Sequence, residues 1–168
     1  MYAVQYDSPL GRLLLTCEDR GLTGIWFDRE LPNQSNPDGH SILRQTEAWL
    51  DAYFRRETPM VEVPLALEGT VFQKKVWQLL LDIPYGQTRS YGQLAQELAA
   101  ALGKEKMSAQ AVGQAVGKNP ISILIPCHRV VGTKGQLTGY ASGLEKKVWL
   151  LRHEGHQINK DSMLNTRR

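Results

Sequence analysis

Ile123-Leu-Ile-Pro-Cys-His-Arg-Val130 is an apolar run that delivers one thiol, Cys127, directly beside an imidazole, His128, and a guanidinium, Arg129. A free cysteine is only a few per cent thiolate at neutral pH, and neighbouring cations raise that fraction. Pro126 fixes the backbone just before the thiol and removes a hydrogen-bond donor. The string reads as a placed nucleophile. It also reads as a core cysteine, since free cysteine is among the most buried residue types, and by itself it leaves both readings open.

Outward from this stretch, the sequence alternates helix starts and stops. Thr70-Val-Phe-Gln73 has the capping-box form, followed by Phe72, Val76, Leu79 and Leu80 as an apolar stripe and by Pro84-Tyr-Gly86 as a stop. Ser90-Tyr-Gly-Gln93 opens a second helix with Leu94, Leu98 and Leu102 inward. Gly103-Lys-Glu-Lys106 interrupts it, and Ser108 caps a third helix from Ala109 to Val116, stopped by Gly117 and Asn119-Pro120. Ser142-Gly-Leu-Glu145 predicts a further capping box on a helix running to His153 and ending at Gly155. The tail from His156 is polar and expected to be loose. Two short helices joined by a turn suggest a helix-turn-helix unit. The second is made almost wholly of small residues, which suits close approach to a partner or tight packing in a bundle.

The first half reads differently. Tyr2, Val4 and Tyr6 alternate, Ser8-Pro-Leu-Gly11 turns, and Leu13–Thr16 and Leu22–Phe27 predict two more strands around Asp19-Arg-Gly21. Residues 31–39 form a loop, and Ile42, Trp49, Leu50 and Tyr53 mark one helix face. Val61, Val63, Leu65 and Leu67 predict a strand. Nothing here suggests chemistry, and Cys17 is most simply packing.

The 168 residues suffice for one ordinary domain or two small ones, with hydrophobic and charged fractions of 42% and 22% in the soluble globular range. The N-terminus has neither a basic leader nor an apolar core segment, so no signal peptide is expected. No apolar stretch approaches the ~20 residues of a membrane span. Two distant cysteines without a Cys-x-x-Cys pattern argue against a zinc site or redox pair and point to a reducing cytoplasm. Charge is uneven. Residues 1–69 carry 6 Lys+Arg against 11 Asp+Glu, and residues 70–168 carry 14 against 6. An acidic half before a basic half suggests two domains, the second facing a polyanion.

Four features of the basic half now stand together: Pro-Cys-His-Arg, the helix pair, Gly139-Tyr140-Ala141, and Arg152-His-Glu154-Gly155. From about Thr70 to Gly155, in order and spacing, they resemble the methylated-DNA–protein-cysteine methyltransferases, or O6-alkylguanine-DNA alkyltransferases. The resemblance implies an α/β chain. Residues 1–69 would form a small N-terminal sheet domain with one helix. Residues 70–155 would form a mostly helical DNA-binding alkyltransferase domain containing the helix-turn-helix and the active-site cysteine. Residues 156–168 would be a polar tail. It implies a monomer that flips O6-alkylguanine, with O4-alkylthymine as a second candidate, out of duplex DNA. The alkyl group then moves irreversibly to the protein, once per molecule, with no cofactor, metal, membrane or obligate protein partner.

The roles carried over are specific. Cys127 would be the nucleophile and His128 its base, acting through a water. Glu154 would hold the imidazole in its accepting tautomer, the alternative being a solvated carboxylate at a helix end. An acid in the last helical turn opposes the helix dipole, which favours a partner for it. Tyr140 would hydrogen-bond the departing base, the Cys127 and Val130 carbonyls would accept from its amino group, and Tyr91 would crowd the 3′ phosphate. Gln110, Ala111, Gly113 and Gln114 would meet DNA from the second helix of the pair. Asn119 would tie that helix to the active-site strand. Arg129 is placed among the DNA-side residues, with structural support and electrostatic field as its more natural role. Gln110 departs from the arginine usual in the family, and residues 100–106 lengthen the segment before it. A recognition module for alkylated bases and a cysteine hydrolase using Cys127, His128 and Glu154 are the alternatives. The first would not need the cysteine, and the second rarely has its cysteine and histidine adjacent.

Overall fold

In the computed structural model, residues 1–36 and 39–159 are described. The first 27 residues fold as an antiparallel meander of β1 (Tyr2–Ser8), β2 (Gly11–Glu18) and β3 (Gly21–Phe27), in the order β1-β2-β3. Tyr2 pairs with Cys17 and Ser8 with Gly11 in the first ladder; Leu13 pairs with Phe27 and Glu18 with Gly21 in the second. Leu13-Leu-Leu-Thr-Cys17 is buried at every position, as a central strand covered on both faces requires. Helix α1 (Ser41–Phe54) lays Ile42, Leu43, Thr46, Leu50 and Tyr53 into the core, while Trp49 stays half-buried and stacks on Tyr53 with centroids 5.5 Å apart.

Two compact units result: residues 1–68 with 120–122, and residues 69–119 with 123–168. The sequence reading did not foresee that Pro120–Ser122 joins the sheet unit. There the Ile25 amide donates to the Pro120 carbonyl at 3.0 Å and the Ser122 amide to the Ile25 carbonyl at 3.3 Å. The strand expected from Val61 to Leu67 is absent. Only Leu65 makes a bridge, to Leu22, bracketed by hydrogen bonds from Leu22 to Pro64 and from Ala66 to Leu22. Pro64 has no amide hydrogen, so a continuous ladder cannot pass through it.

The second unit contains α2 (Val71–Leu81), β4 (Arg89–Ser90), α3 (Tyr91–Ala101), α4 (Ala109–Gly117), β5 (Val130–Val131) and α5 (Leu144–His153). Two of the three predicted capping boxes form in full, Thr70 with Gln73 and Ser90 with Gln93, and Ser108 caps α4 through the Ala111 amide. The indole of the fully buried Trp77 donates to the Ala115 carbonyl at 2.9 Å, joining α2 to α4. The box expected at Ser142 does not form. The α5 N-cap is Gly143, one residue later, at φ +110°, a conformation that L side chains rarely adopt, and no side chain caps it. No helix of the described residues is long and apolar enough to cross a membrane.

Candidate active site

The segment before Cys127 is built by backbone constraint. Ile123 sits at φ +71°, a position a β-branched residue reaches at a cost of order 1–3 kcal/mol. Two residues on, the Ile125 carbonyl accepts from Asn119 Nδ2 at 2.8 Å and from the Cys127 amide, also at 2.8 Å. The second bond spans Pro126 at φ −81°, ψ 63°, which is an inverse γ-turn. A single 3-10 turn, Cys127–Arg129, follows and runs into β5. That strand pairs in parallel with β4, Arg89 to Val130 and Ser90 to Val131, so the start of α3 lies beside the cysteine segment. The local sequence thus makes a sharp double bend that delivers three consecutive side chains, Cys127, His128 and Arg129, into the interior.

At the other end of the unit, α5 stops in a Schellman motif: His156 donates to Leu151 and Gly155, at φ +96°, to Arg152. Glu154 is its C-cap and is 6% exposed. Its Oε2 meets His128 Nε2 at 2.6 Å; Arg129 donates from Nε to Oε1 at 2.7 Å and from Nη2 to Oε2 at 3.2 Å. The Gly86 amide adds a fourth bond, to Oε1 at 3.2 Å. Arg129 also donates to the Ile83 carbonyl at 2.8 Å and lies over the Tyr85 ring. The carboxylate that could have been a solvated helix end is therefore the centre of a buried network.

Electrostatics follow from that geometry. Burial opposes ionisation of Glu154, but His128 and Arg129 together hold its carboxyl far below the ordinary range. Burial pushes the His128 imidazole down despite Glu154, keeping it neutral with Nε2 engaged. His128 Nδ1 has no protein partner among the described residues, which leaves it as the nitrogen able to take a proton. Burial also pushes the Cys127 thiol up, while the nearby polar groups of Asn119 and Tyr140 and the charge of Lys147 act to lower it. A thiol, an imidazole and a carboxylate are thus brought together in the interior. Among the described residues no group of three or more His, Cys, Asp or Glu is arranged to hold a metal ion.

The structure brings Cys127, His128, Glu154, Asn119 and Tyr140 into one neighbourhood. Tyr91 is half-buried, with its hydroxyl 3.5 Å from the Thr138 carbonyl and its ring against Gly113. Gln110 and Gln114 are exposed on α4, and Ala111 and Gly113 are partly exposed. Arg129 stands apart from these DNA-side candidates: it is 8% exposed, with its guanidinium committed to Glu154 and Ile83 instead of facing outward. Sequence reasoning missed Lys147, which is fully buried and donates to the Val130 carbonyl at 2.6 Å. A lysine with Leu144, Leu150 and Leu151 one turn away on α5 was the available signal. It also missed the Gly86 amide, whose part depends on tertiary packing alone.

Comparison with known proteins supplies an independent line. Residues 71–156 match the family described as 6-O-methylguanine DNA methyltransferase, DNA binding domain, and residues 1–67 match its ribonuclease-like domain. A methylated-DNA–protein-cysteine methyltransferase of Methanosarcina acetivorans is 44% identical over 159 residues, 92% of this chain and 99% of that protein. One from Mycobacterium leprae is 42% identical over 156 residues, 90% of this chain and 91% of that protein. The crystal structure of Mycobacterium tuberculosis OGT in complex with DNA matches with a TM-score of 0.80 at 41% identity, covering 92% of each chain.

Proposed function

The chain belongs to the 6-O-methylguanine DNA methyltransferase family, and from that membership we propose that it repairs duplex DNA by taking the alkyl group of O6-alkylguanine onto Cys127. The observation that carries the assignment of roles is the 2.6 Å contact between His128 and Glu154 beside the buried thiol. The Cys127 proton passes to His128 Nδ1 through a water, and the sulfur attacks the alkyl carbon. An S–C bond forms as the C–O6 bond breaks, and the electron pair leaves with the guanine oxygen. Tyr140 hydrogen-bonds the departing base, and the Cys127 and Val130 carbonyls accept from its amino group. The product is a thioether, stable under these conditions, so each molecule acts once. O4-alkylthymine is a second candidate substrate.

Reaching the alkyl carbon requires the base to leave the stack, at a cost of a few kcal/mol. Contacts from the basic half recover it: Tyr91 at the 3′ phosphate, and Gln110, Ala111, Gly113 and Gln114 of α4 in the minor groove. Asn119 keeps α4 in register with the cysteine segment through the Ile125 carbonyl. Gln110 fills the gap in the stack without bringing a charge. Functionally the chain divides at residue 69/70 into a sheet domain and a DNA-binding domain ending near Gly155. We place the protein in the cytoplasm as a monomer.

The test is the intact mass of the protein before and after incubation with duplex DNA carrying one O6-methylguanine. One added methyl, mapped to the peptide containing Cys127 and absent in Cys127→Ala, is expected. Tight lesion binding without a mass change would instead make the protein a recognition module. The role of Gln110 is tested separately: Gln110→Arg is expected to raise duplex affinity, and an unchanged affinity and repair rate would remove Gln110 from the flipping step.

A further inference from the structure

Lys147 lies in the middle of α5 with no exposed surface, and nothing in the proposed reaction uses it. Its Nζ donates to the Val130 carbonyl at 2.6 Å and to the Gly139 carbonyl at 3.3 Å, and stands 5.9 Å from the centre of the Tyr91 ring. Those contacts join three pieces of the site: the strand after the cysteine, the turn before Tyr140, and the first residue of α3. Among the described residues no carboxylate pairs with it. Its neighbours one turn away on α5, at positions 143, 144, 150 and 151, are glycine and leucine. The titratable groups that face it are Cys127 and His128 from the 3-10 turn and Tyr91 from α3.

A buried ammonium without a carboxylate is costly, and burial pulls this one down to about 8. Carbonyl dipoles offset part of that cost. The remaining neighbour able to carry a full negative charge against it, with His128 neutral, is the Cys127 sulfur. Buried Lys147 and buried Cys127 each oppose their own ionisation, and each relieves the other's.

We infer that Lys147 is a positioning residue for alkyl transfer: its ammonium clamps the Val130 and Gly139 carbonyls on either side of the site and sets a positive charge that acts on the sulfur that must become anionic. This rests on the proposed function only for the identity of the reaction, since the charge acts on the thiol whatever its substrate. Lysine suits the place better than arginine, because a compact point charge with rotatable donors can hold two carbonyls while its charge acts on the sulfur through space.

The experiment uses methyl iodide, which methylates the Cys127 thiolate with loss of iodide and needs no duplex, so its rate reports how readily the thiol gives up its proton. The rate is followed against pH by the mass of the Cys127 peptide. In Lys147→Met, with its fold checked by circular dichroism, the profile is expected to move to higher pH, with a rate at pH 7 about tenfold below the parent, as for one pKa unit. Lys147→Arg, which keeps the charge, is expected to stay nearer the parent. Superimposable Lys147→Met and parent profiles would overturn the proposal. Should Lys147→Met fail to fold, the unmodified protein still decides. Linkage is reciprocal, so methylating Cys127 must move the NMR titration of Lys147 to lower pH, and an unmoved titration would overturn the proposal equally. A parent that shows this linkage yet takes no methyl from O6-methylguanine DNA would sink the repair reading while supporting the role of Lys147.

Discussion

Cys17 and Cys127 are both buried thiols, one on the central strand of the sheet unit and the other on the 3-10 turn of the helical unit. Burial pushes Cys17 up to about 11, and its charged neighbours Glu18 and Asp19 push the same way. Burial pushes Cys127 up too, but Asn119, Tyr140 and Lys147 all oppose it. The surroundings differ likewise: the sheet unit's buried polar side chains are Thr16, Thr46 and Ser122, whereas the helical unit buries His128, Arg129, Lys147, His153 and Glu154. Charges are expensive to bury, so a unit that gathers them around one thiol is organised for chemistry. The other unit is organised for packing.

The sharpest way to break this contrast is to delete each thiol in turn. Cys127→Ala is expected to abolish methyl transfer from O6-methylguanine DNA. Cys17→Ala should leave transfer per folded molecule unchanged and lower stability by about 1 kcal/mol, for the lost volume. Equal losses of transfer in the two variants would dissolve the distinction.

Glu154→Gln comes next. It leaves the buried Arg129 without its carboxylate, and breaking such a pair costs about 3–5 kcal/mol. Transfer should also slow by about 10²-fold, within the span for acid–base assistance. Thermal melting and single-turnover rates read the two effects separately. In the sheet unit, a Cβ at Gly21 would lie 2.7–2.8 Å from the backbone of Pro64, Leu65 and Ala66. Gly21→Ala should therefore cost about 1–3 kcal/mol, with the transfer rate of the folded fraction unchanged.

Acid should separate the units as well. His128 and Glu154 are held below their ordinary values when folded, whereas unfolded they titrate near ~6.5 and ~4.3. The unfolded chain thus takes up protons first, and stability present above pH ~6.5 is lost as the pH falls through that range. In the sheet unit Glu47 is raised by burial and by Asp51, so its contribution runs the other way. Hydrogen exchange at pH 7 and pH 5 is expected to show α5 and residues 127–131 losing protection before β1–β3. Ser90→Ala is expected to cost about as little as Cys17→Ala, about 1 kcal/mol for a lost N-cap, read as a lower melting temperature.

How much of this was legible depended on whether the cause was local. The meander, α1 and the capping boxes at Thr70 and Ser90 were readable because alternation and capping act within a few residues. The Val61–Leu67 pattern misled because Pro64 vetoes a ladder that alternation alone suggests. The Ser142 box misled because a glycine at φ +110° starts the helix one residue later. The link from His128 to Glu154 was reachable through the resemblance and the unfavourable dipole, though 26 residues separate them. The commitment of Arg129 to the same carboxylate, the Gly86 amide and the burial of Lys147 were not legible. Each depends on where α5 docks, and no local rule encodes that.

The four donors that converge on Glu154 tie an imidazole, a guanidinium and the loop at Gly86 to one side chain. In a mutational survey scored by cellular abundance, Glu154 would rank with Trp77 and Leu150, as one more position that keeps the chain from being degraded. Scored by survival of an alkylating agent, it would rank with Cys127. The distance between its two ranks, set against the same distance for a purely packing residue, measures how far one carboxylate serves catalysis beyond holding the fold.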